Sequence, residues 1–346
     1  MNGLSRTAYR KARCWSSKLN TGPWAPFAVN TASISRRQHA TTTPQPQEPQ
    51  IHSIFEPHTC TWQYVVADPA TRTAAVIDPV LDYDSGTRTI STAAADGLLR
   101  LIRSEGHYVV SHVIETHAHA DHLTAAFYLR RRLAALQGDG GPVPAVGIGR
   151  RIGGVQELFG KRYGVAPEEY DGVFDLLLDD DQVFCIGSLP VRVMHLPGHT
   201  PDHIGYRIGN NVFCGDSLFH STLGTARCDF PGGSARALYQ SARRLLSLPD
   251  HVKVWVGHDY PPPEGKRAPE PCATVGEHRA KNKHVRDGVS EDEFVRMRND
   301  RDRVLGAPRL LHESLQVNIR AGRLPEADES GMRMLKLPIN VPGEGW

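Results

Sequence analysis

The chain has 346 residues, of which 40% are apolar and 23% charged, a composition typical of an ordinary globular protein with one large domain or two smaller ones. No run approaches the roughly 20 consecutive apolar residues of a membrane-spanning helix, so we expect no membrane span. The net charge of +2 is uneven, because residues 1–47 hold seven Lys and Arg and no acid, which leaves −5 on the remainder. Seven charges spread over that length make a poor nucleic-acid patch.

The composition of the N-terminal segment predicts a targeting sequence. Residues 1–40 are rich in Arg, Ser and Thr and lack acids, a composition typical of a mitochondrial transit peptide and of a protein of the mitochondrial matrix. The alternative is a disordered basic tail. Residues 41–50 form a polar proline-rich linker, and we expect the folded domain to begin near Ile51.

Strands and helices are predicted along the rest of the chain from apolar periodicity. Strands at 61–67 and 73–77 are predicted to form an opening hairpin, and a helix is expected over 94–103. A second helix is predicted from Ala126 to Leu136, with Asp121 near its start and glycines after its end. Residues 276–320 are predicted to be mainly helical.

The segment Thr116-His117-Ala118-His119-Ala120-Asp121-His122 packs three imidazoles and a carboxylate into seven residues, directly after an apolar run. Side chains two residues apart on an extended backbone face the same way, so His117 and His119 can face one ion, and imidazole suits iron and zinc. The alternative is a solvated histidine-rich loop. Burial of such groups without partners would be costly, which favours a metal site.

Three downstream segments each place another ligand-type residue after a predicted strand. His199 lies in a Pro-Gly-His-Thr turn, Asp216 follows the predicted short strand 211–214, and His258 follows the apolar run 254–256. Each alone fits a turn or cap residue. In chain order after the histidine cluster, the three together indicate one metal site.

This ordered set resembles the metallo-β-lactamase superfamily from about Ile51 to at least Asn282. The resemblance implies an α+β fold, a four-layer αββα sandwich with the metal at one edge of its two sheets. It divides the chain into a catalytic domain over 51–275 and a C-terminal helical extension and tail over 276–346.

Longer matches resemble one branch of that superfamily, the persulfide dioxygenases, also called sulfur dioxygenases. They include Gly-Thr-Ala-Arg-Cys-Asp-Phe-Pro-Gly-Gly at 224–233, Gly-His-Asp-Tyr at 257–260 and Thr-Val-Gly-Glu at 274–277. The segments at 307–309 and 317–322 resemble the longer bacterial-type members. Glyoxalase II thioesterases share the histidine motif but not, as a rule, the Asp229-Phe230 segment.

The persulfide dioxygenase resemblance implies one Fe(II) held by His117, His199 and Asp216, with His119 in the second coordination sphere. Its catalytic residues would be Asp121, His122, His258 and Tyr260, the first three orienting ligands or water and the last placing its hydroxyl near the bound sulfur or oxygen. A packing role for the Tyr260 ring is the alternative.

A two-zinc centre is the competing ligand scheme. It groups His117, His119 and His199 on one ion, groups Asp121, His122 and His258 on the other, and makes Asp216 the bridge. All seven ligands are present in the sequence, so the inventory leaves both schemes open.

The implied reaction is the oxidation of glutathione persulfide by O2 to sulfite and glutathione in mitochondrial sulfide catabolism. The alternative is hydrolysis of glutathione thioesters. Glutathione has two carboxylates, for which Arg227, Arg279 and Lys283 are the candidate binding residues. Arg227 could instead brace its loop through Asp229, and the other two could belong to a solvated helix face. The sequence leaves the oligomeric state open, with a homo-oligomer as one alternative.

The six cysteines include no CxxC pair and no regular spacing, so the sequence indicates neither a zinc knuckle nor a disulfide framework. We expect free thiols in a reducing compartment. Cys185 and Cys214 are predicted to be core residues, whereas Cys228 and Cys272 lie in motif segments that could approach the substrate.

Overall fold

The computed structural model describes residues 47–262, 267–339, 341 and 343. The predicted transit peptide, 1–40, and the first part of the predicted linker lie outside the described residues. The described chain belongs to a compact unit assigned to Pro46–Trp346, which includes the C-terminal helices.

The described chain contains both strands and helices, with runs of strands near its start and middle and helices at its C-terminal end. The strands are β1 (Gln50–Glu56), β2 (Thr61–Ala67), β3 (Thr73–Ile77), β4 (Val80–Asp84), β5 (Thr89–Ser91), β6 (Val109–Ile114), β7 (Leu123–Thr124), β8 (Ala145–Gly149), β9 (Leu176–Leu178), β10 (Val183–Ile186), β11 (Leu189–His195), β12 (Ile204–Ile208), β13 (Asn211–Phe213), β14 (Lys253–Trp255) and β15 (Cys272–Thr274). The α-helices are α1 (Ala93–Leu101), α2 (Ala126–Gln137), α3 (Ile152–Tyr163), α4 (Ala235–Leu246), α5 (Val275–Lys281), α6 (Glu291–Asp302) and α7 (Leu311–Asn318).

Two six-stranded sheets form the centre of the fold. The first has the order β1-β2-β3-β6-β8-β9, antiparallel from β1 to β3 and parallel from β3 to β9. The second has the order β10-β11-β12-β13-β14-β15, with one parallel pair between β13 and β14. A small sheet, β5-β4-β7, completes the topology.

The two sheets are covered by helices on their outer faces, which gives four layers. Strand β2 is buried on both faces: Tyr64 and Val66 belong to the apolar core of the second sheet, and Val65 belongs to the core that includes residues of α1, α2, α3 and α7. On the other side, Leu238 of α4 and Phe294 of α6 belong to the same apolar core as the second sheet. The predicted αββα sandwich is therefore confirmed.

The local predictions hold with specific exceptions. The predicted hairpin is β2–β3, and the predicted 94–103 helix is α1 with a π-helical turn over Ile102–Gly106. Asp121 does not lie at a helix start, because α2 begins at Ala126, after β7 has paired with β4. Cys185 is exposed rather than in the core, since it lies on the edge strand β10, whereas Cys214 is buried.

The C-terminal helices pack on both sides of the sandwich. Helix α6 contacts α4, and α7 contacts β7 and α3. The region predicted to be helical over 276–320 thus contains most of α5 and all of α6 and α7, separated by loops. Within the described ranges, none of the helices has both the length and the apolar character needed to cross a bilayer.

Candidate metal centre and substrate pocket

The ligand-type side chains lie on loops that backbone hydrogen bonds join together. The loop after β6 is tied to β12, where the Ile204 N–H donates to the Thr116 carbonyl at 2.8 Å. The loop after β14 is tied to the loop after β13, where the Gly257 N–H donates to the Gly215 carbonyl at 2.9 Å. Loops from both sheets therefore contribute to one site.

The first group of ligand atoms comes from His117, His199 and Asp216. All three residues are buried, and their ligand atoms lie within 4.8 Å of one another. The buried atoms His117 Nε2 and Asp216 Oδ1 have no hydrogen-bond partner among the described residues. Since buried polar atoms are normally satisfied, this donor set fits a metal ion.

A second group lies beside the first and consists of His119, Asp121 and His122, again within 4.8 Å of one another. The atoms His119 Nδ1 and His122 Nε2 are also buried and unpartnered within the described chain. His258 joins this group, because its Nε2 lies 3.1 Å from Asp121 Oδ2. The structure thus places His119 with Asp121 and His122, and the His119 ring also lies 4.1 Å from the His117 ring.

The other ring nitrogen of each of three candidate ligands is fixed by a neighbour. His199 Nδ1 donates to the Arg227 carbonyl at 2.7 Å, and His258 Nδ1 donates to the Cys60 carbonyl at 3.1 Å. A carbonyl oxygen accepts only, so Nδ1 holds a proton in both rings. The Nε2 lone pair of His199 then faces the site, and the Nε2 of His258 faces the Asp121 carboxylate. His117 Nδ1 lies 2.9 Å from Thr116 Oγ1 in the same arrangement.

Two carboxylates that the sequence analysis did not single out hold His119 from behind. Its Nε2 lies 3.2 Å from both Asp78 Oδ1 and Glu115 Oε2. Asp78 also accepts the Thr116 N–H and hydroxyl. A usable signal was present, because Asp78 follows β3, the parallel neighbour of the strand that leads into the histidine motif.

The electrostatics of the site match a cation. Burial and the neighbouring imidazoles hold the pKa of His117 well below its usual value, which keeps its nitrogen available as a ligand. Burial would lower the pKa of His258, but the Asp216 and Asp121 carboxylates raise it to about 9. Burial would raise the pKa of Asp121, but His258 and His122 bring it well below its usual range. The centre therefore combines a neutral imidazole at His117 with carboxylates that favour a positive charge beside them, either on His258 or on a metal ion.

Two glycines of the motifs are required by space. A Cβ on Gly257 would overlap Asp216 Oδ1, so the backbone before His258 can approach the carboxylate only as glycine. Gly198 has a φ of +142°, and a Cβ there would overlap the backbone of Leu238 in α4.

A cavity of about 520 Å³ opens onto the metal centre. Its walls include Asp121, His199 and Asp216 at the inner end, with Tyr260 and Arg227. The Tyr260 ring stacks on His258 with centroids 5.7 Å apart, and Phe219 meets both rings edge to face. The volume suits a small organic substrate.

The predicted substrate-binding residues do not all reach this cavity. Arg227 lines it, while its guanidinium pairs with Asp229. Arg279 lies on the surface of α5, where it pairs with Asp250 and Asp287, and Lys283 is not among the lining residues either. Three further arginines line the cavity and were not proposed from the sequence: Arg298, Arg301 and Arg309.

The predicted substrate proximity of Cys228 and Cys272 also differs from the structure. Neither lines the cavity. Cys228 is buried, and burial with the Asp302 charge raises the pKa of its thiol far above the usual value. Burial likewise raises the pKa of Cys272. The geometry assigns neither thiol a chemical role.

Comparison with known proteins decides the family. A model of the metallo-β-lactamase superfamily matches residues 61–258, more than half of the chain. The chain belongs to the metallo-β-lactamase superfamily. This membership and the buried donor atoms make it a metal-binding enzyme of that superfamily.

Individual relatives carry different names, and a probable metallo-hydrolase of Burkholderia pseudomallei is 43% identical over 84% of this chain and 99% of its own length. Glyoxylase B2 of Dictyostelium discoideum is 44% identical over 84% of this chain and 97% of its own length. The mitochondrial persulfide dioxygenase ETHE1 of Homo sapiens is 28% identical over 79% of this chain and 88% of its own. The crystal structure of ETHE1 from Myxococcus xanthus superposes with a TM-score of 0.61 at 28% identity, covering 79% of this chain and 100% of that one.

Proposed function

We propose that this protein is a persulfide dioxygenase that uses one Fe(II) to oxidise glutathione persulfide. The observation that carries the proposal is the group formed by His117, His199 and Asp216, two imidazoles and one carboxylate with ligand atoms within 4.8 Å. Such a set leaves open coordination positions and is characteristic of non-haem iron oxygenases. The likeness to ETHE1 proteins in sequence and structure supports it.

The overall reaction converts one glutathione persulfide, one O2 and one water into glutathione, sulfite and two protons. The sulfur–sulfur bond breaks, and the terminal sulfur gives four electrons to O2. Iron, when bound, supplies the redox capacity that this step requires and that zinc lacks.

The protein's own groups prepare the site for this chemistry. Asp121 holds His258 Nε2 at 3.1 Å, which fixes the wall beside the ligand group. Tyr260 supplies the hydroxyl group of this wall. Burial together with Asp121 and Asp216 raises the pKa of that hydroxyl, so it keeps its proton and stays a hydrogen-bond donor. Phe219 packs edge to face against both rings and so fixes their positions. A substrate held between these groups and the ligands reacts by proximity.

A glyoxalase II-like thioesterase with two zinc ions is the second candidate. The second group, His119, Asp121 and His122 with His258 beside it, supplies the extra ligands that this function needs. The 44% identity to a protein named glyoxylase B2 supports the same candidate.

Oxygen uptake and metal content separate the two candidates. The dioxygenase should consume O2 with glutathione persulfide, contain one iron per chain, and lose activity to an iron chelator. His199→Ala should abolish both iron and turnover, whereas His258→Ala should keep the iron and slow turnover. Anaerobic hydrolysis of S-lactoylglutathione by a two-zinc protein, with no O2 uptake, would contradict the dioxygenase. In that case His258→Ala should lower the metal content from two to one.

We further propose that the protein acts in the mitochondrial matrix. The support is the basic, acid-free composition of residues 1–40. A fluorescent protein fused behind residues 1–50 should enter mitochondria, and the same fusion with Arg6, Arg10, Lys11 and Arg13 changed to Gln should not. Cytosolic fluorescence from the first fusion would contradict this localisation.

A further inference from the structure

Four arginines line the cavity, but two of them are already committed to protein partners. Arg298 is buried and donates from Nε and Nη2 to Asp302 Oδ1, at 2.9 and 2.6 Å. Arg227 pairs with Asp229 and donates from Nη2 to the Gly306 carbonyl at 2.8 Å. The guanidinium groups of Arg301 and Arg309, by contrast, form no hydrogen bond or ion pair with any described residue.

The two uncommitted arginines, here called the mouth arginines, flank one loop. Arg301 lies in the last turn of α6 and Arg309 lies just before α7. The bond from Arg227 to Gly306 holds the middle of this loop, and Asp302 Oδ2 accepts the Cys228 N–H at 2.8 Å. The loop is therefore tied to the segment that carries Arg227, and both mouth arginines are placed on the cavity wall.

The acidic and the uncommitted basic side chains lie in different parts of the cavity. Its acidic lining residues are Asp121 and Asp216, which belong to the metal centre. The carboxylate of Asp84 lies beyond ion-pair distance from Arg309. Hydrogen bonds from Thr87 lower the pKa of Asp84, and the Arg309 charge adds a smaller lowering. Burial and the nearby charges of Arg298 and Arg301 lower the pKa of His284 to about 4, so its imidazole is neutral near pH 7 and adds no charge to the cavity. The outer part of the cavity therefore offers two free cations.

We propose that the mouth arginines Arg301 and Arg309 bind the two carboxylates of the glutathionyl part of the substrate and so set its specificity. The proposal rests on the proposed function for the identity of that substrate. The sulfur enters toward the metal centre, and the peptide carboxylates stay at the outer, cationic end. Guanidinium groups bind carboxylates in fork geometry, which favours arginine over lysine here.

In this arrangement Arg227 is a positioning residue. Its guanidinium is occupied by Asp229 and the Gly306 carbonyl, so it fixes the loop between the mouth arginines. A loss of Arg227 would act on substrate binding through the loop. The mouth arginines would act by direct contact.

The test measures glutathione binding to the iron-loaded enzyme by titration calorimetry. Arg301→Gln and Arg309→Gln should each weaken glutathione binding about tenfold, the effect of one charge-assisted hydrogen bond. The glutathione diethyl ester, which lacks both negative charges, should bind the wild type and both variants with similar, weaker affinity. The matched control is Arg303→Gln, an exposed α6 arginine that pairs with Asp300 and does not line the cavity.

Steady-state kinetics with glutathione persulfide add a second readout. The double variant should raise KM about 100-fold with little change in kcat, while iron content and thermal unfolding stay at the control's values. Wild-type glutathione affinity in the double variant would overturn the proposal, as would equal losses for glutathione and its ester.

Failure of the proposed function is distinguishable from failure of this inference. If O2 uptake is absent but glutathione binding still depends on Arg301 and Arg309, the dioxygenase proposal fails and the carboxylate site stands. If O2 uptake is present and binding does not depend on either arginine, the carboxylate site is overturned and the dioxygenase stands.

Discussion

Asn318 donates a hydrogen bond from its side-chain Nδ2 to the backbone carbonyl of His119, at 2.8 Å and across 199 positions of sequence. The same Nδ2 donates to the His122 carbonyl at 2.9 Å, and its Oδ1 accepts the Thr124 N–H at 2.8 Å. One buried amide at the end of α7 thus satisfies two backbone groups of the histidine motif and one of β7 directly after it. The C-terminal region is part of the support of the metal centre.

Replacing Asn318 by Leu should therefore weaken metal retention. The change leaves three buried backbone groups without a partner, at about 1–3 kcal/mol for each. We expect a lower unfolding temperature and at least tenfold faster loss of metal to a chelator. Gln316→Leu is the control, because Gln316 lies on the same helix but bonds to His312 and Lys336. Equal chelator sensitivity in the two variants would show that Asn318 acts on stability alone.

The candidate ligands could be predicted from the sequence because each follows a strand. Strands of 3 to 7 residues are readable from local apolar patterns, and His117, His199, Asp216 and His258 come shortly after β6, β11, β13 and β14. The fold brings these strand ends together. Their order along the chain was therefore sufficient to predict that these side chains lie close together.

The support of the site could not be predicted in the same way. Asn318 contacts the motif through tertiary packing across 199 positions, and nothing in its local sequence marks that contact. Asp78 follows a strand as the ligands do, but the pairing of β3 with β6 that brings it to His119 is not readable from the local sequence. Asp121 was wrongly placed at the start of α2 for a similar reason, since strand β7 lies between them and its pairing with β4 joins residues more than 40 positions apart.

The choice among arginines shows a further limit. The sequence alone does not distinguish the role of Arg279 from that of Arg309, because their neighbours in space decide those roles. Arg279 meets Asp250 and Asp287, whereas Arg309 meets no such partner within the described chain and faces the cavity. Sequence reasoning could predict that cations are needed, but not which of them stay unpaired.

Gly257→Ala should remove the metal without unfolding the protein. The added Cβ would overlap Asp216 Oδ1 and come within 3.0 Å of the Gly215 carbonyl carbon, so the carboxylate must move. Metal analysis of the purified variant should show a loss of most of the bound metal. Gly153→Ala is the control, because that α3 glycine has open space around it and should gain about 0.5–1 kcal/mol of stability. Full metal content in Gly257→Ala would contradict the position assigned to Asp216.

Asp68 should make the folded state sensitive to acid. It joins the β2–β3 turn to the second sheet by accepting from the Ser188 N–H at 2.6 Å and from its hydroxyl at 2.7 Å. Burial would raise its pKa, but the hydrogen bonds from Ser188 and Thr71 lower it to about 2. Because the folded-state pKa is depressed, this stabilisation is complete above about pH 4 and is lost as the pH falls toward 2.

The variant Asp68→Asn tests that dependence. Its deficit in unfolding free energy relative to the wild type, measured by denaturant titration, should be largest near pH 6 and shrink between pH 4 and pH 2. Asp139→Asn, in an exposed loop, controls for the loss of one carboxylate. A deficit that stays constant down to pH 2 would mean that the Asp68 charge does not contribute.

Tyr260→Phe separates the chemical role of this side chain from its packing role. Phenylalanine keeps the stack on His258 and removes only the hydroxyl, so kcat/KM should fall about 10- to 100-fold if the hydroxyl donates to the bound substrate. Since burial, Asp121 and Asp216 raise the pKa of Tyr260, the hydroxyl keeps its proton throughout the pH range of the assay. The wild type and the variant should therefore have pH profiles of the same shape. Tyr239→Phe is the control, because its hydroxyl bonds to the Val289 carbonyl outside the cavity. An unchanged kcat/KM in Tyr260→Phe would leave the ring with packing alone.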